Sequence, residues 1–218
     1  MLLEPLALSL QIAVVASLLA GLGALTLIAA THGKRIASVL DAVLTAPLVL
    51  PPTVLGHYLL TVLGRRSALG IAWESITGSS FVFTRTGAVI AATITALPLV
   101  LQSARAAIDA VDPILLDAAR TLGATRLGAL SRVALPLASR GVAAGLLLGF
   151  ARACGDFGVT LMIAGNIPGE TQTASLALYD AVLAGREADA RFLAIALTLI
   201  AVVSIATVQW LGRRPHAR

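Results

Sequence analysis

The sequence predicts an all-α, polytopic membrane protein of about five transmembrane helices, with a short cytoplasmic helix between the third and the fourth. Two observations carry this. Hydrophobic residues make up 58% of the 218 and charged residues only 12%, where soluble domains carry about a quarter charged. The apolar residues also gather in five runs, each near the roughly twenty residues that span hydrocarbon as a helix with its backbone polar groups satisfied internally. Residues 1–218 read as one transmembrane domain.

The first run covers 6–30. The preceding M-L-L-E-P-L-A lacks the basic region of a secretory signal, and the run exceeds a signal core, so a retained span is expected. The second run, 37–63, carries Pro47, Pro51 and Pro52. Each proline deletes a helical hydrogen bond and presses on the preceding turn, so the helix must bend or break there. Irregular backbone at membrane depth needs protein or water around it. A pathway lining and a packing kink both fit.

The loop Gly64 to Thr86 follows, with Trp73, Phe81 and Phe83 suited to an interfacial position. The third run is 87–107, with Pro98 inside it. Next comes the longest polar run of the chain, Asp112 to Pro136, D-P-I-L-L-D-A-A-R-T-L-G-A-T-R-L-G-A-L-S-R-V-A-L-P. Asp112 is placed to cap a helix that begins at Pro113, and Gly123 to end it in a left-handed turn. Leu115, Leu116, Ala119 and Leu122 fall on one side of this helix, while Asp117 and Arg120 can pair on another.

The fourth run, 137–164, contains G-F-A-R-A-C-G-D-F-G, which places Arg152 and Asp156 four apart on one helical face. An intramembrane ion pair marks either a transport route or a structural bridge, and Gly155 and Gly158 permit close approach of another helix or a substrate. Between Gly165 and Asp189, N-I-P-G-E-T is turn chemistry, and 174–183 is expected as an interfacial helix. The fifth run is 192–211.

Positive charge orients the chain. With the amino terminus outside, Lys34, Arg35, Arg105, Arg120, Arg126, Arg132, Arg140, Arg213, Arg214 and Arg218 lie inside, against Arg65, Arg66, Arg85, Arg186 and Arg191 outside. That choice puts Asp112 to Pro136 and the carboxyl terminus in the cytoplasm. The same distribution explains the net charge of +5 without nucleic-acid binding.

Other chemistries find little support. The one cysteine, Cys154, sits in an apolar segment as a spectator thiol, and His32, His57 and His216 lack metal-ligand spacing. There is no G-x-x-x-x-G-K-[ST] phosphate loop and no Ser/His/Asp set. Neither catalysis nor a bound cofactor or metal is expected of this chain. No internal repeat appears, which argues against a secondary transporter built from two related halves.

Asp117-Ala118-Ala119, then Gly123, then Val133-Ala134-Leu135-Pro136 resembles the EAA loop of permease subunits of ABC importers, with Asp for Glu and Val for Ile. P-L-V-L-P-P-T-V-L-G from Pro47, R-T-L-G-A from Arg120, F-A-R-A-C-G-D-F-G from Phe150 and N-I-P-G-E-T from Asn166 are similar to the permease of molybdate importers, over nearly the whole chain. Asp156 stands where that group often has Glu. The resemblance implies a type I ABC importer permease-like fold with five spans and the amino terminus out, in a bacterial inner membrane. It implies ATPase coupling through Asp117, Ala118, Ala119, Gly123, Leu135 and Pro136, while Pro47, Pro51, Pro52, Arg152 and Asp156 are the pathway or gate candidates. It further implies a second copy of the chain, two cytoplasmic ATPase subunits that hold ATP and Mg, and an external oxyanion-binding protein. The cargo would be molybdate, with tungstate open. Sulfate or thiosulfate permeases are the neighbouring alternative, and an ATP-independent transporter or a membrane scaffold the alternatives of another class.

Overall fold

The computed structural model describes residues 2–31 and 37–212, and within them it is helical without strands. Lys34, Arg35, Arg213, Arg214 and Arg218, on which half of the inside charge rests, lie outside the described residues, as do His32 and His216.

The body is a bundle of α1 (Leu3–Thr31), α5 (Arg85–Asp109) and α8 (Leu135–Cys154). Small residues build it. Ala13, Ala16, Ala20 and Ala24 of α1 and Ala88, Ala92, Ala96 and Ala104 of α5 are buried in one cluster, and small side chains let helix backbones approach where hydrophobic driving force between spans is weak. On α8, Gly141, Gly145 and Gly149 recur every four residues against α5. A Cβ at Gly145 would lie 2.9 Å from Ser103 Cβ, and one at Gly149 2.5 Å from Val100 Cγ2. This glycine ridge seats α8 in α5, and the sequence reading missed it.

The second run is not one helix. It consists of α2 (Ala37–Thr45), a 3₁₀ turn at Ala46–Leu48, and α3 (Pro52–Leu63), with 112° between the two parts. The prolines do more than bend it: Pro51 is extended at φ −54°, ψ 137°, so α3 starts afresh at Pro52. The external loop holds α4 (Ala68–Thr77), capped by Ser67 Oγ, which accepts from Gly70 N. Trp73 stacks on Phe81 at 4.4 Å between ring centroids.

The polar run carries α6 (Pro113–Thr121) and α7 (Arg126–Ala129). Beyond α6 it departs from the expected loop. From Arg126 the chain is helical through a π turn at Leu130–Ala134 into α8, so the fourth span begins well before residue 137. Leu135 N donates to Leu130 O, five residues back. Pro136 explains the widened turn, since its ring needs room and it has no N–H for a regular ladder.

The fourth run also ends differently. Helix stops at Cys154, and α9 (Gly158–Ala164) resumes after Gly155, Asp156 and Phe157. Asp156 therefore lies in a break, not on a continuous helical face with Arg152. Finally, α10 (Ala174–Leu183) has the expected bounds, but Ala174, Leu176, Ala177 and Ala181 are buried, and Ala174 N donates to Ser9 Oγ of α1 at 2.7 Å. It packs into the bundle where an interfacial position was expected. α11 (Glu187–Gly212) closes the bundle against α8 and α10.

Candidate coupling and pathway site

α6 forms as its sequence dictates. Asp112 Oδ1 accepts from Ile114 N at 2.9 Å ahead of Pro113. At the other end Gly123 adopts φ +89°, with Gly123 N donating to Arg120 O and Ala124 N to Ala119 O, the two bonds of a Schellman cap. Asp117 and Arg120 pair at 3.2 Å. Leu116 packs against the core cluster that includes Val111, Leu130 and Ala134, so the helix is anchored where α5 ends and where the π turn leads into α8. The rest of its apolar surface has no cover: Ile114 is 72% exposed and Leu122 88%. Asp117, Ala118 and Gly123 are exposed and Ala119 half-buried on this element. Leu135 and Pro136 are not on it; they follow the π turn at the start of α8.

The two interrupted helices meet. Gly158, first residue of α9, faces Pro52, first residue of α3: a Cβ there would lie 2.7 Å from Pro52 Cβ. One turn on, Gly56 faces Met162, whose Sδ would be 2.7 Å from an added Cβ. The register 52 to 158 and 56 to 162 makes α3 and α9 parallel neighbours, joined through Leu55, Val159 and Ile163 to Ala91 of α5. Gly155 has no such role, since only its own helix's carbonyls lie near it.

Asp156 holds the second break together. Its Oδ1 accepts from Arg152 Nη1 at 3.1 Å, and its Oδ2 accepts from Thr160 N at 3.0 Å and Thr160 Oγ1 at 2.7 Å. Its backbone carbonyl accepts from Ser175 Oγ of α10 at 2.7 Å. The residue is 2% exposed, while the Arg152 side chain keeps 32% of its surface. A side chain that bonds the backbone three or four residues on competes with the helix, which is why the span breaks here. Pro47, Pro51 and Pro52 sit at the first break, Arg152 and Asp156 at the second.

N-I-P-G-E-T is a turn in which Glu170 N, Thr171 N and Gln172 N all converge on Ile167 O. Asn166 Nδ2 and Gln172 Nε2 each donate to Asp180 at 2.8 Å. Arg85 donates through Nε and Nη2 to Glu170 O and Gly169 O. The turn borders a cavity of about 460 Å³ lined in part by Glu4, Gln172, Asp180, Arg186 and Asp189.

Asp41 went unnoticed in the sequence. Arg105 of α5 donates to Asp41 Oδ1 through Nη2 at 2.9 Å and to Thr31 Oγ1 at 3.1 Å. Its Nε lies 2.7 Å from Oδ2 without the alignment of a hydrogen bond. An acidic residue at the head of an otherwise apolar run was the available signal.

Against this geometry the comparisons are decisive. The family described as "Binding-protein-dependent transport system inner membrane component" matches residues 9–216. The chain belongs to that family. Among its curated relatives, this permease is 41% identical over 182 residues to the molybdenum transport system permease protein ModB of Escherichia coli K12, covering 83% of this chain and 80% of that one. It is 37% identical over 210 residues to the putative molybdenum transport system permease protein YvgM of Bacillus subtilis, covering 94% and 91%. The sulfate transport system permease protein CysT of Escherichia coli K12 aligns over less, 65% of this chain and 51% of that one, at 32% identity. In fold, the permease resembles a chain of a bacterial alginate ABC transporter crystallised with its alginate pentasaccharide-bound periplasmic protein. That match has a TM-score of 0.68 at 17% identity and covers 96% and 76% of the two chains. The permease is thus a multi-pass inner-membrane component, and its relatives are transport subunits rather than catalysts.

Proposed function

We propose that the chain is the transmembrane subunit of an ATP-driven importer of molybdate, working as a pair around a central route. The observation that carries it is the breadth of likeness to molybdenum permeases, 83% of this chain in one relative and 94% in another, where the sulfate relative aligns over 65%.

The amino terminus is outside. A binding protein presents the oxyanion at the outer turns, and two cytoplasmic ATPase subunits, which hold ATP and Mg, each receive one α6. An uncovered apolar helix that stands on the ends of two spans supports this reading, because Ile114, Leu115 and Leu122 need a partner's groove. ATP closure shifts α6, and only a contact that differs between two states transmits work.

The test is reconstitution of the permease with its ATPase and binding protein in proteoliposomes loaded with an ATP-regenerating system. ATP-dependent uptake of labelled molybdate, exceeding that of sulfate at equal concentration, is expected. Preferred sulfate uptake overturns the cargo. Uptake without the ATPase overturns the importer class.

A further inference from the structure

The exposed side of α3 carries an ionisable side chain in its middle, which those of α1 and α11 do not. On α1 it is Val14, Val15, Leu18 and Leu22, and on α11 Leu199, Val202 and Val203, which suits acyl chains. On α3 the packed side is Leu55, Gly56 and Leu63, while Thr53, His57 and Thr61 are exposed beside Tyr58 and Val62. Residues four apart on a helix stand one above the other, so these three form a polar line that starts one residue past the break at Pro52. Thr61 Oγ1 donates back to His57 O at 3.0 Å, which a hydroxyl can do in lipid. The His57 ring has no such escape: among the described residues it takes no hydrogen bond, and its nearest aromatic neighbour, Tyr58, is 6.3 Å away between centroids. An ionisable side chain in a span without a protein partner belongs against water.

We infer that Thr53, His57 and Thr61 line the water-filled route, and that His57 hydrogen-bonds the tetrahedral oxyanion as it passes. The inference rests on the transport reading above. A tetrahedral oxyanion offers only acceptors, and this line offers donors: the imidazole N–H of His57 and the Thr53 hydroxyl. The helix is held on its other side by α9, so the line is presented by a braced element.

The test uses the assembled permease, ATPase and binding protein in proteoliposomes. In a Cys154→Ala background that retains uptake, His57→Cys and Thr61→Cys are compared with Leu18→Cys and Leu199→Cys for reaction with a membrane-impermeant thiol reagent. Positions 57 and 61 should react at least about tenfold faster, and molybdate with its binding protein should slow them. Reaction at 57 as slow as at 18 means lipid and overturns the inference. So does an unreactive position 57 that instead forms a disulfide with its counterpart, the mark of a dry contact between copies. Separately, His57→Phe should lower uptake about tenfold while His57→Gln, which keeps a donor, retains most of it. Normal uptake by the phenylalanine variant sinks the role given to His57. If the unsubstituted complex moves no oxyanion the transport reading fails instead, and the labelling contrast still reports whether the line meets water.

Discussion

Asp41 and Arg105 form the anchor of α2, and breaking it should loosen that helix alone. Little else holds it among the described residues: Val39 is 63% exposed and Val43 65%, with Leu44 packed on the core. A fully buried ion pair that loses one member costs about 3–5 kcal/mol, chiefly through the charge left behind. Here the Arg105 and Asp41 side chains keep 20% and 26% of their surface, so solvent screening brings Asp41→Asn nearer to about 2 kcal/mol, or roughly thirtyfold in a local opening constant. Hydrogen exchange of the reconstituted permease reads that constant directly. Amides of α2 should exchange about thirtyfold faster in Asp41→Asn while those of α8 are unchanged. Arg105→Gln should behave alike. The double variant should exchange more slowly than the product of the single effects, because the second change removes a charge already orphaned. Unaltered exchange in α2, strictly multiplicative singles, or equal acceleration across the whole bundle would each refute the anchor.

Substitutions at Gly123, Asp156 and Thr160 separate backbone from contact effects. Gly123 has φ +89° and no atom within 4 Å of an added Cβ, so Gly123→Val should cost about 1–2 kcal/mol through backbone strain alone, and Gly123→Asn much less. The ratio of uptake to ATP hydrolysis in proteoliposomes should fall for valine and hold for asparagine; equal coupling in both variants removes the turn from the mechanism. Asp156→Asn turns an amide N–H₂ toward Arg152 or Thr160, both donors, and should cost about 2–4 kcal/mol, seen as a lower thermal midpoint of the purified permease. Thr160→Ala, which removes only one of those bonds, should cost about 1 kcal/mol. An unchanged midpoint in Asp156→Asn would show that the break is held by other contacts.

Local signals were legible wherever one residue decides one local geometry. Asp112, Pro113 and Gly123 fix α6 end to end, because capping and left-handed turns depend on nearest neighbours. The prolines announced the first break for the same reason. The second break was hidden: G-D-F-G inside an apolar run reads as helix until Asp156 is seen bonding Thr160 and Arg152 at once, and only the fold supplies Ser175 as the third partner. The register of Gly141, Gly145 and Gly149 was on the page as a four-residue repeat, yet its meaning depends on α5 lying alongside. Asp41 was overlooked because its partner is 64 residues away. Arg152 and Asp156 were correctly paired from spacing, but for a helical face the chain does not form there.

Together these pieces give α6, the helix proposed to couple, a mechanical address. Leu116 ties α6 to the end of α5 and the start of the helix that becomes α8, and the glycine ridge leaves those two helices little room to slide, since even a methyl at Gly149 collides with Val100. On the proposed function, a push on α6 would move α5 and α8 as one body. At its far end α8 stops at Cys154, and from there Arg152, Asp156 and Thr160 place three hydrogen bonds across a three-residue gap. Side-chain bonds across a gap can turn where a continuous helix cannot. α9 carries α3 with it through the Gly158 to Pro52 and Gly56 to Met162 contacts, and α3 is itself freed from α2 by the 112° break. The α3 and α9 pair meets the α5 and α8 body through interrupted backbone before Pro52 and Gly158 and through the packing of Leu55, Val159 and Ile163 on Ala91, and it is the part that presents His57. Rigid spans with two aligned interruptions concentrate movement where the polar line stands.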